Sequence, residues 1–262
     1  MSLAAAALAS CSDDLPSVPS DNTVDITVSI AGASRVDTDN PDLNASCVFS
    51  SGDKILLAAT NTGQAPAVYT FNGNAWTHEI TEGIVWRQDQ MDITGTYLYH
   101  NFFDGKSVFC SNQTDLDSLR CSDQMTYQGT HHSSEKQINI VMRRLNARIV
   151  VNVDYSLEFN GREPAITNFV LLPGSAAVKP YNRPNTHTYV AVVQPGAVTD
   201  NVFASFTADG ISYESSLSRT FEAGTSYTYN LTVGNDGVEI SSINVEPWVE
   251  GSPLEGGDLN AE

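Results

Sequence analysis

The residues best suited to chemistry are five histidines, four cysteines and a dense set of acids, so metal binding and acid–base catalysis are the first chemistries to weigh. His131 and His132 are adjacent, and consecutive residues of a strand point to opposite faces, so the pair cannot readily share one ion. Asp37, Asp39 and Asp42 have the look of a calcium loop, but Pro41 stands at the fifth position and no Gly follows at the sixth. A solvated acidic loop is the better reading. The chain has no Gly-x-Ser-x-Gly elbow, His-Glu-x-x-His pair or phosphate-cradling Gly/Lys loop, and its cysteines lack paired CxxC spacing. The sequence therefore points to a non-enzymatic protein with no cofactor and no metal.

Charge narrows the partners. Of 262 residues, 13 are Lys or Arg and 31 are Asp or Glu, a formal net charge of -18. Phosphate backbones would repel such a chain, which excludes electrostatic binding of nucleic acid. Hydrophobic residues make up 41%, enough for a packed core. Charged residues are only 17%, below the roughly 25% of an average domain, a balance familiar from β-rich exported proteins.

The first 23 residues read as a signal remnant, lipid-attachment motif and tether. Leu3 to Ala9 is a short apolar stretch, and Leu8-Ala9-Ser10-Cys11 resembles a bacterial lipobox, in which Cys11 would be acylated. No Lys or Arg precedes the stretch, so the start reads as clipped. Cys110 and Cys121 flank a polar segment that a disulfide could close, which leaves Cys47 as a small buried apolar residue.

The elements that must position these residues are strands. Val24, Ile26, Val28 and Ile30 alternate with polar neighbours, as do Ile149, Val151, Val153 and Tyr155, and Tyr227, Tyr229, Leu231 and Val233. Asn72-Gly73, Asp209-Gly210 and Asp236-Gly237 sit between such runs as hairpin turns. Asp115 to Arg120 suits a helical turn or two, and Gln124 to Ser134 reads as polar loop. Many short strands with Gly/Asn/Asp turns mean sandwich or barrel, and at about 100 residues per sandwich the length asks for two. The expected division is residues 24–145 and 146–250, followed by a polar tail over 251–262.

Several segments together resemble the fimbrillin family of Bacteroidales, the subunits of type V pili. Phe221-x-Ala223-Gly224-x-x-Tyr227-x-Tyr229 leads through Asn235-Asp236-Gly237 to Ile240, Ile243 and Trp248-x-x-Gly251. Mid-chain, the run from Ile138 through Met142-Arg143-Arg144-Leu145 to Ala147-Arg148-Ile149 is similar to the junction where the family's second domain begins. Phe49-x-x-Gly52-Asp53-x-Ile55 is a third recurrent string.

The resemblance implies an all-β protein of two transthyretin-like β-sandwich domains in series. It also implies a cell-surface location in a Gram-negative bacterium, as an outer-membrane lipoprotein precursor or within a pilus. Its partners would be other pilin subunits, in a homo- or hetero-polymer, the outer membrane through the lipid anchor, and an Arg-specific protease. The cut would fall between Arg35 and Val36 and free the strand Val24 to Ile30, and a neighbour's strand would fill the groove. Arg35 is the only basic residue before Lys54. If all four apolar side chains are buried, the strand contributes roughly 6–12 kcal/mol. The donor region would be Val238, Ile240, Ile243, Val245 and Trp248, where the alternation slips by one at Ser241-Ser242 and implies a bulge. The alternative is a monomeric surface lipoprotein that stacks a glycan on Trp76, Trp86 or the aromatic cluster of Tyr97, Tyr99, Phe102 and Phe103.

Overall fold

The computed structural model of the protein describes residues 23–31, 49, 51–78, 83–99, 109–135, 137–156, 163–234 and 236–248. Fifteen strands and one short helix occupy these residues. The first seven strands are β1 (Asp25–Ile30), β2 (Lys54–Ala59), β3 (Ala67–Phe71), β4 (Trp76–Thr77), β5 (Gln90–Leu98), β6 (Met125–His132) and β7 (Gln137–Arg144). They form one sheet in the order β1-β7-β6-β5-β2-β3-β4. The nine-residue β5 pairs with β2 on one side and β6 on the other. The sheet curls far enough that its two end strands, β1 and β4, line opposite sides of one cleft. The first half is thus a single curled sheet rather than two separate ones. Its core gathers Ile55, Leu57, Tyr69, Met91, Ile93, Ile138, Ile140 and Met142.

The remaining strands are β8 (Ala147–Tyr155), β9 (Ile166–Leu171), β10 (Tyr181–Asn182), β11 (Thr188–Val193), β12 (Gly196–Ala208), β13 (Ile211–Phe221), β14 (Thr225–Gly234) and β15 (Gly237–Pro247). They make a five-stranded sheet, β10-β11-β8-β14-β15, and a three-stranded sheet, β13-β12-β9. The two enclose one core. Through it runs an aromatic column in which Phe169 stacks on Tyr189 and Phe206 at centroid distances of 4.2 and 5.1 Å, and Phe206 on Tyr213 at 5.8 Å. Alternation explains β14, whose Tyr227, Tyr229, Leu231 and Val233 are buried while Thr228, Asn230 and Thr232 between them are half-exposed. It does not explain β8, where Ala147 to Val151 are buried without a break. That strand lies inside the sheet between β11 and β14, and its outer face is covered as well.

The cover is a helix. Asp115 caps α1 (Leu116–Cys121) by accepting from the Ser118 amide at 2.8 Å. Its Leu119 joins Val150, Val190, Val192 and Trp248 in a separate apolar cluster on the outer face of the five-stranded sheet. Gln113, fully buried, locks the segment down. Its amide nitrogen donates to the Val192 carbonyl at 2.7 Å and its oxygen accepts from the Val192 amide at 2.8 Å, as an adjacent strand would.

Gln124 to Ser134 is a correction, because most of it is β6. Its inward positions are Met125, Tyr127, Gly129 and His131, too weakly apolar to register as an alternating strand. The predicted hairpins at Asn72-Gly73 and Asp209-Gly210 form, the latter with φ of 48° and 84° at its two central residues.

Gly174 matters for a different reason. At φ +83°, an added Cβ would lie 2.0 Å from the Ala197 carbonyl oxygen on β12. We expect Gly174→Ala to cost at least about 2 kcal/mol in denaturant melts, whereas Gly210→Ala, equally left-handed but in open space, should cost about 1 kcal/mol.

Candidate functional site

Two end strands and the seam between the halves carry the features that the sequence marks. β1 pairs with β7 alone, in parallel, with Ile26 opposite Ile138, Val28 opposite Ile140 and Ile30 opposite Met142. The Thr27 hydroxyl donates to Asn139 on the outer face. Below the strand, the Val24 amide donates to the Ile84 carbonyl at 2.8 Å. Val24 and Ile30 are buried, but Ile26 and Val28 are only half-buried, because they face the cleft towards β4. The expectation of four fully buried side chains is thereby corrected. The strand's apolar contribution falls to roughly 4–9 kcal/mol. Cys11, Arg35 and Val36 lie outside the described residues, as do Cys47, His100, Phe102 and Phe103.

At the other end, β15 is the edge of the five-stranded sheet and pairs only with β14. The register slips between Asn230 opposite Ser242 and Leu231 opposite Ile240, so Ser241 is the bulged residue, at the slip in the sequence pattern. The bulge divides the strand. Val238 and Ile240 pack against the core, whereas Ile243 and Val245 remain 42% and 44% exposed beyond it. Both face the core side, opposite Tyr229 and Tyr227, where the three-stranded sheet leaves a groove between Val245 and the Ser218–Thr220 stretch of β13.

Trp248, 1% exposed, ends the strand inside the seam between the halves. Its amide donates to the Gly224 carbonyl at 2.7 Å. Its own carbonyl accepts from Arg144 Nη1 at 2.9 Å. The Arg144 guanidinium stands 4.2 Å from the indole centroid and that of Arg148 5.7 Å from it. Arg144 Nε also donates to both oxygens of Asp123 at 3.1 Å. Arg148 Nε donates to Ser226 Oγ at 2.9 Å. Burial pushes the Asp123 carboxyl up, against the downward pull of Arg144 and Arg148. Among the described residues, no acceptor meets the buried indole N–H of Trp248. Residues from β7, β8, the segment after α1 and the end of β15 therefore converge on one ring.

Sequence reasoning picks out Trp248 but not its setting. Arg144 follows Ile138, Ile140 and Met142 in the inward parity of β7, a signal that its charge obscures. Arg148 shares the outer-face parity of Val150. Neither Asp123 nor Gln113 carries any sequence signal for burial.

Cys110 is half-buried and Cys121 buried at the two ends of the segment between them. Hydrogen bonds hold that segment, from the Cys110 amide to Ser122 Oγ at 3.0 Å and from Gln113 Nε2 to the Cys110 carbonyl at 2.8 Å. His131 and His132 face opposite ways, the first buried between Tyr127 and Glu135. No group of three metal-ligating side chains occurs among the described residues. Of the aromatic candidates, Tyr97 and Tyr99 are core residues with hydroxyls bound to Asp53 and Asp117, so neither offers a face to a sugar. Burial, with Asp53 beside it, pushes the Tyr97 hydroxyl well up; burial and Asp117 raise Tyr99 to about 12. Trp86 packs half-buried against the first core, and Trp76 lines the cleft beside β1.

Comparison with known proteins matches residues 34–248 to the fimbrillin-like family. Among solved structures, a candidate cell adhesion protein of Bacteroides uniformis superposes with a TM-score of 0.61 at 18% identity, over 87% of this chain and 100% of that one. A candidate cell adhesion protein of Bacteroides ovatus gives 0.60 at 14% identity, over 78% and 90%. A fimbrial protein of Bacteroides ovatus gives 0.51 at 15% identity, over 84% of this chain and 50% of that one. At these identities the likeness establishes a common fold. No curated protein matches the chain.

Proposed function

The chain belongs to the fimbrillin-like family, and from that premise we propose that it is a structural subunit of a type V pilus that serves cell adhesion and assembles by strand exchange. In this reading it is exported as an outer-membrane lipoprotein acylated at Cys11. An Arg-specific protease cuts between Arg35 and Val36, β1 leaves, and the β15 region of a neighbouring subunit fills the vacated place. The two domains divide at Leu145-Asn146, between β7 and β8.

The observation that carries the proposal is the placement of β1. It is an edge strand held by one neighbour, so its departure breaks one ladder and leaves the other six strands paired. It also uncovers the row Ile138, Ile140 and Met142, which are fully buried while β1 is seated. An apolar slot worth roughly 4–9 kcal/mol is comparable with the whole stability of a domain, so an opened subunit gains strongly from a replacement strand. The family match starts at Ser34, beside the proposed cut, and leaves β1 outside it. On the donor side, the bulge at Ser241 and the uncovered Ile243 and Val245 make the second half of β15 the least embedded part of its sheet.

The test is to treat the purified precursor with an Arg-specific protease. The expected product begins at Val36 and forms a ladder of oligomers on gels, and Arg35→Ala yields neither. A product that starts at Val36 yet stays monomeric would sink strand exchange. A precursor that resists the cut between Arg35 and Val36 would sink the maturation step.

A further inference from the structure

We propose that the cleft between β1 and β4 is a binding site for a neutral saccharide, stacked on Trp76. The cleft holds about 630 Å³, within the range of small-ligand sites. Trp76 is half-buried on a strand of only two residues, and Phe49 and Phe71 brace it at centroid distances of 4.9 and 5.3 Å. The indole is thus held in place before any ligand arrives, with its remaining surface on the cleft. A half-buried tryptophan of this kind is a platform for the C–H face of a pyranose, an apolar surface within an otherwise polar ligand.

The rest of the lining suits the other part of such a ligand. Asp25, Asn74 and Gln137 are exposed around the cleft, and no hydrogen bond from a described residue engages their side chains. A carboxylate accepts from paired sugar hydroxyls, and the two amides both donate and accept. Among the described residues no Lys or Arg lines the cleft, Asp25 stands at its edge, and the chain carries a net charge of -18. That field selects against sialylated or sulfated glycans and for neutral ones. An extended peptide could pair only along the outer edge of β1, since β4 offers two residues of open main chain, and it is therefore tested as a competitor.

The site goes beyond the assembly reading and belongs to the chain with β1 seated, since β1 forms one wall of the cleft, so it is tested apart from assembly on the uncut form. The full chain with Arg35→Ala keeps β1 covalently in place, and this form is screened against immobilised neutral and sialylated oligosaccharides, with calorimetry on the hits. Neutral oligosaccharides should bind and sialylated ones should not. Trp76→Ala should weaken binding roughly tenfold or more. Because Trp76 also braces the core, the double exchange of the exposed Asn74→Ala and Gln137→Ala is the second variant, expected to lose affinity severalfold with an unchanged melting temperature. Trp86→Phe, outside the cleft, should bind as the parent does. The proposal is overturned if neutral glycans fail to bind, if sialylated glycans bind equally, if neither variant weakens binding, or if an extended peptide displaces the sugar from the cleft. Protease-driven ladders of the wild-type chain are scored separately, so failure of one reading leaves the other standing.

Discussion

Arg144→Met should unfold at markedly lower denaturant than the wild type, with a loss of about 3–5 kcal/mol at neutral pH. The size follows from what is stranded. Arg144 binds both Asp123 oxygens and the Trp248 carbonyl, and its side chain is 2% exposed, against 12% for that of Asp123. Removing the cation leaves a carboxylate whose ionised form burial already disfavours. The pH dependence has a definite sign. A carboxyl raised in the folded state binds its proton more tightly there than when unfolded, so stability is greatest below the unfolded value and is lost as pH rises towards the folded one. Without Arg144 the rise grows, so the deficit relative to wild type should shrink from pH 7 to pH 5. Urea melts at the two pH values measure it. An equal deficit at both would mean that Asp123 is not the stranded group.

Trp248→Ala should cost a similar amount, about 3–5 kcal/mol, through loss of a fully enclosed ring. Trp248→Phe should cost much less, since the indole N–H has no acceptor among the described residues and a phenyl ring still fills most of the space. The two arginines make the outcome non-additive. The double variant Arg144→Met with Trp248→Ala should lose less than the two single losses combined, because the groups share one contact. If β15 is the donor, its end has to leave this seam before it can enter a neighbour. Trp248→Ala should then accelerate ladder formation after proteolysis while lowering the stability of the precursor. Slower assembly would argue that the ring is needed in the neighbour's groove.

The strands were legible where one face is apolar and the other polar. β1 and β14 carry the alternating runs read from the sequence, β8 carries one within a strand buried on both faces over Ala147 to Val151, and the slip at Ser241-Ser242 predicted the bulge at its place. β6 was not, since its inward face contains Gly129 and His131, one of them made tolerable only by hydrogen bonds to Tyr127 and Glu135. The seam was the least legible part. Its members are charged or polar residues whose burial depends on partners 21 to 104 positions away, and no local pattern records such a partnership. Trp248 was marked by its resemblance to a family motif, whereas Arg144, Arg148, Asp123 and Gln113 became visible only in three dimensions.

The pairing of β1 with β7 also bears on the order in which the chain assembles itself. Each rung joins residues 112 positions apart, and Thr27 and Asn139 span the same distance. Closing so long a loop costs more entropy than forming the hairpins and meanders among β2 to β7, so contact-order reasoning makes β1 the last strand of its sheet to seat. It is also the first to leave the ribosome and waits for a partner made more than a hundred residues later. By that reasoning the open slot precedes the closed form while the chain folds, whether or not it is later cut. In the assembly proposed above, chains at high local concentration would meet while that slot is still vacant, and the covalently attached β1 would compete with a neighbour's strand simply by being present at higher effective concentration.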